Sequence, residues 1–145
     1  MASRDPLQQI IEALRLYLKE LRTHIIVISD PERNYYVQAA GHDDGDRIVL
    51  WCEAVSDENL SEWNSLGADG AARLRRLGWN DPDPNWSREM NVRSVQDLEA
   101  VAEVLLDTLR EVYRFEDGLL EIEMGDPSGV VALESPALQA LLESL

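Results

Sequence analysis

The apolar positions along the chain change period several times, and each change marks an element. Between residues 6 and 22, Leu7, Ile10, Ile11, Leu14, Leu18 and Leu21 recur at helical spacing on one face. Pro6 suits a first helical position, where its missing N–H would be unpaired anyway, and Asp5 or Ser3 can cap the start. The period then drops to two. Residues 24–29 contain the β-branched run Ile25-Ile26-Val27-Ile28, and Asp30-Pro31-Glu32 is a turn signal. Residues 34–40 alternate around Tyr35, Val37 and Ala39. Residues 41–46, Gly-His-Asp-Asp-Gly-Asp, read as a polar loop. From Arg47 to Val55 the chain alternates again, with Ile48, Leu50, Cys52 and Ala54 on one face and Val49 and Trp51 on the other. Three short strands joined by short loops predict an antiparallel meander.

The second half returns to helical spacing. A short helix fits residues 69–77, with Leu74 and Leu77 inward and Gly78 at the left-handed position that follows a helix end. Asn80-Asp81-Pro82-Asp83-Pro84 cannot continue it. Residues 85–92 read as a fourth, weaker strand. Ser94 followed by Asp97 is similar to a capping box. It opens a helix that runs to about Arg114, with Leu98, Val101, Ala102, Leu105, Leu109, Val112 and Tyr113 as its stripe. Residues 119–124 read as an extended segment and 136–145 as a short final helix. Segregated strands and helices predict an α+β fold with a three- to four-stranded antiparallel meander packed on helices. Residues 1–114 read as one α+β domain, and 115–145 as an acidic extension packed on it.

Charge narrows the choice of partner. Twenty-eight acidic residues against 13 basic give a net charge of −15. Residues 115–145 hold seven acidic residues and no Lys or Arg. Such a field repels phosphate backbones and anionic membrane surfaces, so neither nucleic acid nor membrane is expected as a partner. A protein partner is expected, and a basic one suits the charge. Met1 to Pro6 lacks the basic and apolar regions of a signal peptide, and no apolar run approaches bilayer length. A cytoplasmic protein is the expectation.

Candidate chemistry is sparse. No glycine-rich phosphate loop and no nucleophile elbow occur. His24 and His42 lack a second histidine nearby to complete a metal site, and Cys52 falls on an apolar strand face as a small hydrophobe. The acidic run 42–46 lacks the ligand spacing of a calcium loop. No catalytic residue, metal ligand or cofactor is therefore assigned. The aromatic residues Tyr35, Tyr36, Trp51, Trp63, Trp79 and Trp86 cluster in the middle of the chain, as core or as binding anchors.

A family resemblance rests on several short pieces. They are Leu77-Gly78-Trp79, the later Asn85-Trp86, Tyr36-Val37-Gln38 and Trp51-Cys52-Glu53-Ala54-Val55, with Thr108-Leu109-Arg110-Glu111-Val112-Tyr113 ending the long helix. In this order they resemble the bacterial Tir-chaperone-like and YbjN-like domains, over about residues 5–114. The resemblance implies a type III secretion chaperone-like fold and a non-catalytic, protein-binding, often homodimeric module. The expected contact residues are Val49 and Trp51 on the outward sheet face, with Leu119, Leu120 and Ile122 in the tail. Two rival readings stay open. One is a regulatory module with a small-ligand pocket lined by Tyr35, Trp51 and Trp86. The other is an enzyme that uses converging carboxylates.

Overall fold

The computed structural model describes residues 5–21, 25–30, 35–56, 66–82, 85–115, 120–125 and 136–145. Helix α1 (Pro6–Leu16) begins as its sequence dictates: Pro6 stands at the first turn and the Asp5 carboxylate accepts the Leu7 N–H. It continues as a π-helical turn, Tyr17–Leu21. Then follow β1 (Ile25–Asp30), β2 (Tyr35–Asp44), β3 (Arg47–Ala54), α2 (Gly67–Arg76), β4 (Trp86–Val92), α3 (Val95–Glu111), β5 (Glu121–Met124) and α4 (Pro136–Ser144). The Ser94 hydroxyl caps α3 by accepting the Asp97 N–H, and Asp97 accepts the Arg93 N–H in return.

The architecture is α+β, with an antiparallel sheet in the order β4-β3-β2-β1-β5. The β1–β3 meander has its expected place, and the sheet has five strands. Two features depart from the sequence reading. Residues 41–44 are strand, not loop: β2 runs on to Asp44, opposite Arg47, and Gly45 turns the chain at φ +67°. Four polar residues hid this strand because apolar alternation is its usual mark. The strand count also differs: the extended segment expected over 119–124 supplies a fifth strand, β5, beyond the three or four expected, and pairs with β1, Ile122 opposite Ile28 and Met124 opposite Ile26.

Alternation then sorts the side chains onto two faces. The inner face carries Ile26, Ile28, Val37, Ala39, Ile48, Leu50, Cys52 and Ala54, all buried among the apolar residues of α1 and α3. An apolar cluster links that face to α1, α2 and α3, and α4 adds Leu141 and Leu142 to it, with Leu145 just beyond the helix. The Tyr17 hydroxyl accepts the N–H of Gly41 at 2.8 Å, just past the last β1–β2 pair, Ile25 opposite Ala40. Tyr113 closes the other end, donating its O–H to the Val55 carbonyl at 2.6 Å and packing its ring 5.1 Å from that of Tyr35.

Candidate functional site

The outer face of the sheet carries the second set of alternating residues. Cross-strand register sets Glu89, Trp51, Ala40 and Ile25 in one row from β4 to β1. Trp51 is 46% exposed and Ile25 39%, and with Leu16 they are the large exposed apolar side chains among the described residues. Val49, half-buried, stands between His42 and Asn91 in the next row. Acidic groups frame this surface: Glu89 on β4, Glu53 on β3 and Glu121 and Glu123 on β5. The carboxyl of Glu121 is raised by its hydrogen bond with Glu123 and by that residue's charge.

The row ends at the sheet edge formed by β4. Ser87 exchanges both backbone hydrogen bonds with Asn80 on the side away from β3. Strand alternation therefore aims the N–H and C=O of Glu89 and Asn91 at the same edge, where they meet no partner among the described residues. Beneath that edge a groove of about 320 Å³ runs between β4 and α3. Met90, Ala100, Val101 and Val104 supply its apolar wall, while Arg88, Arg93, Glu89 and Asp97 mark its mouth. An exposed, unpaired strand edge is a template for another strand, and the groove offers room for alternate side chains.

The residues of the Leu77-Gly78-Trp79 and Asn85-Trp86 pieces have a structural place beside this edge. Gly78 adopts φ +96° past the end of α2, and a Cβ there would meet the Arg88 guanidinium at 2.8 Å. That guanidinium donates to the Leu77 carbonyl. Trp79 is buried and donates its indole N–H to the Thr108 hydroxyl at 3.0 Å. Asn85 is buried and accepts the Ser56 N–H at 3.2 Å. Trp86 is buried under the Arg75 guanidinium, 5.4 Å from its ring centre. Together they fasten α2 to the start of β4 and fix the edge beyond it.

The other sequence-derived candidates divide. Val49 and Trp51 lie together on the outer face. Ile122 and Leu120 are half-buried against the core, and Ile122 shares the inner face with Ile28. Leu119 and Trp63 lie outside the described residues. The pocket drawn from Tyr35, Trp51 and Trp86 does not form. Tyr35 and Trp86 are buried on the inner face and Trp51 points out from the other. Cys52 is buried and desolvation pushes its thiol from 9.0 up to about 12, so it stays protonated. Among the described residues no group of His, Cys, Asp and Glu could hold a metal ion, and no helix is long and apolar enough to cross a membrane. Glu89, Asn91 and Val104 have no role in the sequence reading, and Val101 has only a place in the α3 stripe, because an edge is a property of strand order.

A comparison with known families decides the affiliation. Residues 8–119 match the family model TY-Chap3, described as T3SS (YopN, CesT) and YbjN peptide-binding chaperone 3. The chain belongs to this family. No curated protein and no solved structure matches it. The TY-Chap3 match spans Trp51, the β4 edge and the wall of the groove, and stops short of β5.

Proposed function

We propose that this TY-Chap3 chain is a non-catalytic chaperone-like module that holds an extended segment of a partner protein as an additional strand on β4. The observation that carries this reading is the edge at Glu89 and Asn91, unpaired among the described residues, set over an apolar groove and beside the exposed Trp51. Backbone pairing would supply affinity without sequence preference, and the two faces would supply selectivity. On one face, side chains of the segment would drop against Met90, Val101 and Val104. On the other, they would meet Glu89 and Trp51, so basic or aromatic residues fit there. The net charge of −15 favours such a segment at long range.

Fluorescence anisotropy with two labelled ten-residue peptides tests this. A peptide of alternating Val and Lys is expected to bind, and one of alternating Val and Glu is not. Equal binding of both, or of neither, contradicts the reading. Light scattering belongs with the assay because a second copy of the chain could also occupy the edge. A species near twice 16.4 kDa that a proline at Asn91 returns to 16.4 kDa would assign the edge to self-pairing instead.

A further inference from the structure

A concentration of positive charge lies where the C-terminal turns of α2 and α3 meet. A cavity of about 540 Å³ there is lined by Arg73, Arg76, Leu77, Arg110, Glu111 and Arg114. Four of the 13 basic residues of a strongly acidic chain thus converge on one concavity. Arginine is common at helix C-termini because it answers the exposed carbonyls and the negative end of the dipole. Arg73 answers that description. The Leu77 carbonyl already accepts from Arg88, and the Glu111 carbonyl accepts from Arg73 at 2.8 Å. Arg75, on the same turn, faces elsewhere and pairs with Asp81 at 2.8 Å.

Arg114 adds a second observation. It follows α3 at φ +56°, and it is the described non-glycine residue with a left-handed backbone. Glycine takes that position at the end of many helices without the steric penalty a Cβ brings. A strained arginine held at the rim of a cavity that already contains three more is the kind of local cost that accompanies a site.

We propose that this cavity binds a small, multiply charged anion of the phosphate class. Guanidinium groups match phosphate oxygens two at a time, and the volume suits a small molecule. A compact anion keeps all its charges inside the arginine cluster, whereas a long acidic chain would extend into the repulsive field of the rest of the surface. The proposal stands apart from strand addition at β4, and neither depends on the other.

Isothermal titration calorimetry of the full chain with inorganic pyrophosphate tests it. One-to-one binding is expected, weakening as salt is added. Arg76→Gln and Arg114→Gly are each expected to raise the dissociation constant by about tenfold, the usual scale for losing a charge-assisted hydrogen bond. Arg114→Gly is also expected to raise the melting temperature, because it relieves the left-handed backbone. Loss of affinity with a gain in stability separates a binding role from a structural one. No heat with pyrophosphate, or binding unchanged in both variants, overturns the proposal. Tighter binding of an octaglutamate peptide than of pyrophosphate overturns the small-anion assignment.

Discussion

The two edges of the sheet are built in opposite ways. β5 is four residues long, and its outer-face side chains are Glu121 and Glu123. A short, doubly acidic border of this kind resists pairing with another strand. β4 is seven residues long and mixes Ser87, Glu89 and Asn91 outside with Trp86, Met90 and Val92 inside. Asn80 blocks one end of it, and the rest, unpaired among the described residues, lies over a groove. Protection at one border and exposure at the other teach that an open edge here is not a default of the fold.

The largest effect is expected from Asn91→Pro. The lost N–H faces the free edge, so the sheet keeps its ladder and stability changes little. Binding of the Val–Lys peptide should weaken about thirtyfold, the equivalent of about 2 kcal/mol for a partner carbonyl left unpaired. Glu121→Gln combined with Glu123→Gln, on the far border, should cost much less, within about threefold, because these residues lie across the sheet from β4 and act on the peptide only through the screened long-range field. Equal losses at both borders would remove the distinction. Next comes Trp51→Ala, expected to weaken the peptide about tenfold while changing unfolding free energy by less than about 1 kcal/mol, since the ring is nearly half exposed. Denaturant unfolding beside the binding assay checks it, and unfolding of the variant would return Trp51 to the core.

Smaller effects test the frame that holds both borders. Tyr17→Phe leaves the Gly41 N–H without its acceptor and should cost about 1 kcal/mol in urea unfolding. The Cys52 thiol should resist alkylation in the folded chain and react on unfolding. Its sign with pH follows from the raised value. Below pH 9 both states keep the proton and stability is unaffected. Between 9.0 and about 12 the unfolded chain loses it first, so stability falls as pH rises through that window. Tyr17, pushed from 10.0 up to about 12 by desolvation, adds to the fall in the upper part of it. A flat unfolding profile from pH 9 to 11 would contradict the burial of both groups.

The fold was largely legible in the sequence because its core elements keep their period. Leu98, Val101, Ala102, Leu105 and Leu109 mark α3 because one face of that helix is buried along its length. Ile48, Leu50, Cys52 and Ala54 mark β3 because the strand is central and covered on one side. Residues 41–44 escaped because polar strand residues carry no period signal at the end of a hairpin. Trp51 and Val49 could be placed on the outward face from alternation alone. The edge could not be placed, since the same polar–apolar pattern in β4 fits a central strand. Neither could the arginine cavity, because Arg73 and Arg110 meet only when α2 packs against α3.

Amide hydrogen exchange, residue by residue, tests strand addition most directly. The Glu89 and Asn91 amides are expected to exchange fast in the free protein and to slow markedly when the Val–Lys peptide is bound, with the amides of β5 unchanged. Slow exchange at those two amides before peptide is added, or protection on binding confined to β5, would contradict it.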